Sequence, residues 1–318
     1  MLKNSGPFMH MLADGVRNSG VDIDLRYLGN LRSARNLLIA RRMIKRVACE
    51  FDLIHAQFGS ACAVATAGGK NTVKLLSLRG SDWYRYNEKW NYESLHSLIA
   101  TVMSRSVLKQ FDAVVVMSNR MAVDVHERYP DVNLVTIPDP INLLVFKPID
   151  KMAARAALGC PNDNDKWILF TTASTRNQIK RFRLAQEAVG YAKQNIGGIK
   201  LRVATGIEPG KMPLFVGCCD LVLSTSVYEG WPNAIKESLA CNVPFVATDV
   251  SDLRDIANQE PSCRVCSPEP HAIAESICDV LSINNVGNLR RHVLGMDVPL
   301  VSKQIVDLYQ QLVSGNQE

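Results

Sequence analysis

Short apolar runs alternate with longer stretches in which apolar residues recur every three to four positions, and the alternation continues along most of the chain. The runs at 22–28, 51–56, 73–78, 113–117 and 134–138 read as strands, and the stretches between them read as helices. After two prolines, Pro138 and Pro140, and the segment Val145-Phe-Lys-Pro148, a second series opens with strand runs at 167–172, 200–205, 220–224 and 243–248. Strands separated by helices predict a doubly wound α/β architecture with parallel sheets. The expected domain boundary lies near residue 148, giving domains over 1–148 and 149–300. The last helical stretch, 301–313, is too far from any strand to extend the second sheet, and the expectation is that it crosses back to brace the first domain.

The start of the chain departs from this pattern. Residues 3–8 form a turn containing Gly6 and Pro7, and 8–18 form a helix, with no strand before them. A Rossmann-like domain normally opens with a strand that delivers such a glycine turn. Either roughly ten to twenty residues precede this chain, or the domain lacks its first strand. The segment has no apolar core of signal length, so the expected location is the cytoplasm. The longest apolar runs, 113–117 and 167–170, fall far short of the roughly 18 residues a membrane span needs.

A length of 318 residues, with 47% hydrophobic and 21% charged, fits two folded domains and excludes disorder, collagen and coiled coil. Nine cysteines at irregular spacing suit reduced thiols. Cys263-x-x-Cys266 has no second pair to complete a zinc site. Asp22-Ile-Asp24 has the shape of a metal-binding pair but falls in an expected edge strand, and no metal ligand is assigned.

The net charge of +5 resides in the first 150 residues, which carry 19 Lys and Arg against 14 Asp and Glu; the remainder carries 17 of each. The excess gathers in 31–48, where Arg32, Arg35, Arg41, Arg42, Lys45 and Arg46 are interleaved with Leu31, Leu37, Leu38, Ile44 and Val47 at helical spacing. Such a helix is either a solvated face or a surface that attracts anionic lipid or an anionic acceptor. Nucleic acid is disfavoured, because no aromatic residues interleave with the charges and no reader motif is present.

The segment 220–249 carries the chemistry. A buried strand at 221–223 enters a loop of Ser, Thr and Gly, Pro232 opens a helix running to about Ala240, Asn242 stops it, and 243–248 is the next strand. The amides at that helix start suit an anion. Glu229 lies just before the helix and Glu237 eight positions later, so loop and helix can approach one ligand from two sides. A carboxylate in the Glu229 position also offsets the helix dipole, and that structural role stays open.

These residues resemble the family-4 retaining glycosyltransferases of the GT-B fold, whose signature is a Glu-x7-Glu pair opening with Glu-Gly-x-Pro-Asn. The matching positions are Glu229, Gly230, Pro232, Asn233 and Glu237, followed by Ala240-Cys-Asn-Val-Pro244. Asp52-Leu-Ile-His-Ala56, Arg79-Gly-Ser-Asp82, 114–118 and Ile137-Pro-Asp-Pro-Ile-Asn142 resemble landmarks of the family's first domain, although Arg79 stands where many members have histidine. The resemblance implies two Rossmann-like domains facing across a cleft. It gives Glu229 to the donor sugar hydroxyls and Glu237 to the nucleotide ribose, with Gly230, Trp231, Pro232 and Asn233 beside them. Lys180-Arg-Phe182 resembles the family's Lys-Gly-Phe, so Lys180, with Arg176 as its partner, is expected to pair with the donor diphosphate. Gly6 is the remaining candidate on the phosphate side, and His55, Arg79 and Asp82 are candidates for the acceptor or sugar side.

The implied reaction moves a sugar from a nucleoside diphosphate sugar to an acceptor hydroxyl with retention, by front-face attack, without metal and with no cofactor beyond the co-substrate. The implied setting is bacterial polysaccharide or lipopolysaccharide assembly, with a glycan or lipid-linked acceptor and peripheral contact with the inner face of the cytoplasmic membrane through 31–48. The competing readings are a nucleotide-sugar epimerase or sugar phosphorylase on the same fold, and a catalytically silent binding subunit. A dinucleotide oxidoreductase and a P-loop enzyme are disfavoured, because neither glycine fingerprint is present.

Overall fold

A computed structural model describes residues 7–69, 72–86, 92–161 and 163–315. Gly6 lies outside the described residues. In chain order the helices are α1 (Pro7–Asn18), α2 (Ala34–Val47), α3 (Ser60–Thr66), α4 (Tyr92–Val107), α5 (Asn119–His126), α6 (Lys151–Ala157), α7 (Phe182–Asn195), α8 (Met212–Gly217), α9 (Asn233–Ala240), α10 (Leu253–Gln259), α11 (Pro270–Leu281) and α12 (Val298–Gly315). The strands are β1 (Leu53–Ala56), β2 (Val73–Ser77), β3 (Ala113–Val116), β4 (Leu134–Thr136), β5 (Lys166–Thr171), β6 (Ile199–Ala204), β7 (Leu221–Ser224), β8 (Phe245–Thr248) and β9 (Arg264–Cys266).

The chain divides into two compact units. The first comprises the described residues up to Pro140, the short segment Tyr228–Trp231 and the residues from Val298 onward; the second comprises Ile141–Val227 and Pro232–Asp297. The first unit thus ends eight residues before the boundary expected at 148.

In the first unit the sheet is all parallel, in the order β1-β2-β3-β4. Leu53 pairs with Val73, and Leu76 with Val114. β3 is Ala-Val-Val-Val and is buried throughout, as a β-branched strand covered on both faces should be. Leu76, Leu78, Trp83, Leu108, Val114, Val116 and Met121 form its core. The expected strand at 22–28 is absent: residues 21–30 are irregular, and Leu25 and Tyr27 are exposed. In the doubly wound strand order a second strand pairs with the first, and none of the described residues forms that first strand, so 22–28 has no ladder to join. α12 packs on α1, where Gly15 meets Val298 and Ser302 so closely that an added Cβ would lie 2.1 Å from the Ser302 hydroxyl.

In the second unit the sheet is also parallel, in the order β6-β5-β7-β8-β9. β9 was not foreseen: it is a three-residue edge strand of half-buried side chains, and its sequence Arg-Val-Cys lacks an apolar run. α7 buries Ala185, Ala188, Val189 and Ala192, a helical i, i+3, i+4, i+7 stripe, against the sheet and against α11. Because the connections run outward from β5 in one direction and from β7 in the other, the switch point of this sheet lies between β5 and β7. In open parallel sheets ligands bind beyond the strand C-termini at such a point. No helix among the described residues is long and apolar enough to cross a membrane.

Candidate functional site

Two loops flank the switch point of the second unit. The first, 172–181, follows β5 and folds on itself: Ser174 N donates to Thr172 Oγ1 (3.2 Å), Asn177 N to Ser174 O (3.0 Å) and Ile179 N to Asn177 Oδ1 (3.0 Å). Arg176 projects from it, exposed. Lys180 is half-buried at its end, close enough to Glu237 to act on it electrostatically. Arg181, in the position where the resembling family has glycine, adopts the left-handed conformation (φ 49°) that glycine takes freely. Its guanidinium fixes the neighbouring loop, with Nε donating to Thr225 O (2.6 Å) and Nη2 to Ser226 O (2.9 Å). Thr225 Oγ1 returns a bond to Lys180 O (2.7 Å), Val227 N donates to Ile179 O (2.8 Å), and Thr248 Oγ1 donates to Ser226 O (2.6 Å). The loop ends of β5, β7 and β8 are therefore tied into one rigid rim.

α9 carries Glu237. Pro232 sits at its N-cap, one position earlier than the sequence pattern places it, and contributes no side-chain acceptor. Its carbonyl accepts from Ile235 and Lys236 N, while Asn233 begins the helix exposed. The other end closes as a Schellman motif: Asn242 takes φ 60°, its N–H reaches Leu239 O (3.0 Å), and Val243 N–H reaches Ser238 O (2.9 Å). Arg290 then binds Ala240 O (2.5 Å), Phe146 O (2.6 Å) and Leu143 O (2.6 Å), a cation placed where the helix dipole favours one. Burial pushes Glu237 up to about 7, against the opposing pull of Lys236 and Lys180. Glu237 thus sits on a helix whose C-terminal end is closed by the Schellman motif and by Arg290.

Glu229 lies in the segment assigned to the first unit, where it is half-buried between Tyr228 and Gly230. The backbone of this segment touches the loop after β2. A Cβ on Gly230 would stand 2.5 Å from Arg79 O, and one on Gly80 (φ 109°) would stand 2.5 Å from Gly230 N. Gly230, which the resemblance places beside the donor, thus also lies against the backbone of Arg79 and Gly80. Tyr228 stacks near Tyr84, at 5.7 Å between ring centroids, and Trp231 is buried.

Of the three candidates for the acceptor or sugar side, Asp82 and Arg79 hold the loop that meets this segment, and His55 is held by Tyr309 and Ser77. Asp82 is fully buried: Oδ1 accepts from Arg79 N (2.8 Å) and Gly80 N (2.9 Å), and Oδ2 from Gly59 N (2.7 Å). Burial raises its carboxyl above the usual range, and the amides of Gly59, Arg79 and Asp82 itself, with the Arg79 charge, oppose the rise. Arg79 pairs with Asp139 and donates to Gln57 O (2.8 Å) and Oε1 (2.5 Å); burial lowers it to about 10. His55 is neutral, brought down to about 3 by burial and then by Arg79, and its ring nitrogens meet Tyr309 Oη (2.7 Å) and Ser77 Oγ (2.8 Å). Gln57, Asp139, Tyr309, Arg181 and Arg290 escaped the sequence reading, because each acts through a backbone carbonyl or a residue distant in the chain. Among the described residues, no group of three or more His, Cys, Asp or Glu side chains could hold a metal ion. Asp24 pairs with Arg26 (2.7 Å).

Two units, each with a parallel α/β sheet, make up a fold of the GT-B class. Residues 6–143 match the family model described as Glycosyltransferase Family 4, and residues 168–282 match the one described as Glycosyl transferases group 1. The two matches take in most of the chain, which belongs to these glycosyltransferases. Among solved structures, the sucrose-phosphate synthase of Thermosynechococcus elongatus is similar over 97% of this chain and 93% of its own, at 16% identity and a TM-score of 0.78. HepE of Anabaena, solved with UDP and glucose, is similar over 96% and 90%, at 15% identity and a TM-score of 0.66. A glycosyltransferase of Rickettsia africae is similar over 97% and 88%, at 17% identity and a TM-score of 0.64. At these identities the likeness establishes the fold. No curated protein sequence matches the chain significantly.

Proposed function

We propose that the protein transfers a glycosyl unit from a nucleoside diphosphate sugar to an acceptor hydroxyl with retention of configuration. The observation that carries this reading is the placement of Glu237 on α9, within electrostatic reach of Lys180, beside the rim at the β5/β7 switch point. In this reading the ribose hydroxyls donate to the Glu237 carboxylate and the sugar hydroxyls to Glu229. Lys180 and Arg176 face the diphosphate, with the first-turn amides of α9 nearby. The bond from the anomeric carbon to the diphosphate oxygen breaks as the acceptor oxygen bonds to the same face of that carbon, and the departing diphosphate takes the acceptor proton. Cations facing the leaving group stabilise the charge that develops there, an effect of a few kcal/mol in a dry site. No metal is needed, and activity is expected to survive chelation.

HepE is described with UDP bound, which makes a uridine donor the first to try. The acceptor is a glycan or lipid-linked chain of a bacterial surface polysaccharide or lipopolysaccharide. The basic residues of 31–48 hold the protein at the inner face of the membrane. The test is a panel of nucleotide sugars with released nucleoside diphosphate as the readout, together with calorimetry of donor binding to Glu237→Ala. Donor binding that is lost in the variant while its fold is intact supports the assignment. Unchanged affinity counts against it, and absence of donor binding by the native protein favours a silent subunit.

A further inference from the structure

The side chain of Arg79 is buried and pairs with Asp139. Gln57 grips it twice, accepting from Nε with its main-chain oxygen (2.8 Å) and from Nη2 with Oε1 (2.5 Å). The other end of the same amide, Nε2, lies 3.0 Å from His55 Nδ1. A guanidinium can only donate, so the atom of Gln57 that faces Arg79 is the oxygen, and the amide N–H must face the ring. Nδ1 is therefore an acceptor. The ring proton then sits on Nε2, which donates to Ser77 Oγ (2.8 Å), and Tyr309 Oη, 2.7 Å from Nδ1, donates to that nitrogen as well. Every bond of this chain has one direction, and burial, with the nearby Arg79 charge, disfavours a second ring proton.

We propose that Gln57 is a positioning residue for sugar transfer: it fixes Arg79, and with Arg79 the loop on which the Glu229 segment is seated, while His55, Ser77 and Tyr309 set which way its amide faces. The inference rests on the reading that Glu229 meets the donor sugar, and it names what places that residue. All of these groups belong to the first unit. The link to the segment is the main chain of Arg79, since a Cβ on Gly230 would lie 2.5 Å from Arg79 O and 2.8 Å from Arg79 C. A shift of Arg79 therefore moves the surface against which Gly230, and Glu229 beside it, is packed. Asp82 holds this loop by its amides, through Arg79 N and Gly80 N, whereas the Arg79 side chain is held by Gln57 and Asp139. With its amide reversed Gln57 could not do this: its N–H groups would face the guanidinium, donor against donor, and its oxygen would face the bare lone pair of Nδ1. The tautomer of His55 and the grip on Arg79 are one choice.

The experiment has two arms, both on the full chain. The first reads the ring nitrogens of His55 by NMR of nitrogen-15-labelled histidine, with His55→Asn to assign the signals. The expected native spectrum shows a bare Nδ1 and a protonated Nε2. In Gln57→Glu, whose carboxylate can only accept, Nδ1 is expected to gain a proton. A native Nδ1 that already carries a proton, or a Gln57→Glu spectrum identical to the native one, overturns the proposal. The second arm takes the donor found with the nucleotide-sugar panel into steady-state kinetics and calorimetry. Gln57→Leu should lower kcat about tenfold or more in protein shown to be folded, with donor affinity changed by less than about threefold, because Glu237 and Lys180 lie outside this loop. Gln57→Glu, which still accepts from Arg79, should restore part of the lost turnover. A purely structural role would lower the melting temperature and leave kcat per folded molecule unchanged, and that result overturns the proposal. A native chain that turns over no donor overturns the transferase reading instead, and the ring-nitrogen arm still decides the network.

Discussion

Gly230→Ala tests whether the contact between the Glu229 segment and the loop after β2 governs the site. The new methyl carbon would lie 2.5 Å from Arg79 O, 2.8 Å from Arg79 C and 3.2 Å from Met117 Cγ. Carbon–oxygen contacts settle near 3.3–3.6 Å, so the overlap approaches about 1 Å. The loop cannot yield easily: Arg79 N and Gly80 N are held by buried Asp82, and the Arg79 side chain is held by Asp139 and Gln57. The 228–231 segment must move instead, at a cost of about 2–3 kcal/mol by the scale of overpacked cores. That corresponds to a fall in melting temperature of roughly 4–12 °C for a domain of about this size. Because Glu229 rides on the displaced segment, donor-dependent turnover should fall by more than the loss of folded protein explains. The assay is a thermal melt followed by donor kinetics on protein shown to be folded. Gly190→Ala, in α7 with open space around it, is the control and should gain about 0.5–1 kcal/mol. A Gly230→Ala protein with native melting temperature and native kinetics would refute the contact as a constraint.

The remaining predictions concern the second unit and the Asp82 cradle. Glu237 keeps its proton in the folded chain up to about pH 7, whereas an unfolded glutamate loses it near 4.5. Stability is therefore lost as pH rises through that window, by up to about 3 kcal/mol. Glu237→Gln should flatten this decline between pH 5 and 8 in melting experiments, and native-like pH dependence in the variant would show that the shift belongs elsewhere. Since ribose hydroxyls favour the ionised carboxylate, donor affinity of the native protein should rise with pH across 6–8, as calorimetry can read. Arg290→Ala leaves three carbonyls without their cation and should cost about 2–4 kcal/mol in urea unfolding, with partial rescue by Lys. Arg181→Gly relieves a left-handed residue but loses two bonds to the β7 loop; a net loss of about 1–2 kcal/mol and a higher donor KM are expected, and a more stable variant would show the clamp to be dispensable. Asp82→Ala frees three buried amides at once and should prevent stable folding of the first unit, measured as loss of cooperative unfolding.

The eight other expected strands were legible, because parallel strands such as β3 and β7 are buried on both faces and appear as continuous apolar runs. β9 was hidden by its brevity and its arginine, and 22–28 was misread because alternation alone cannot say whether a partner strand exists. The sequence pattern placed Glu237 on a helix and Lys180 at a loop end, yet their proximity is a product of how β5 and β7 adjoin. Gly230 illustrates a different limit: its smallness is visible in the sequence, but whether a ligand or a neighbouring backbone requires it depends on Gly80, 150 positions earlier. The support roles of Asp82 and His55 were likewise invisible, since their partners are loop amides and a tyrosine on α12.

α12 has a consequence for synthesis. Tyr309 meets His55 from the far end of the sequence, and Gly15 is covered by Ser302, so the first unit lacks part of its packing until Val298–Gly315 has emerged from the ribosome. The second unit, drawn almost entirely from one continuous stretch, has all its strands available before then. The order of folding should thus run opposite to the order of translation. Chains stalled shortly before residue 298 should present a protease-resistant C-terminal half attached to a digestible N-terminal one.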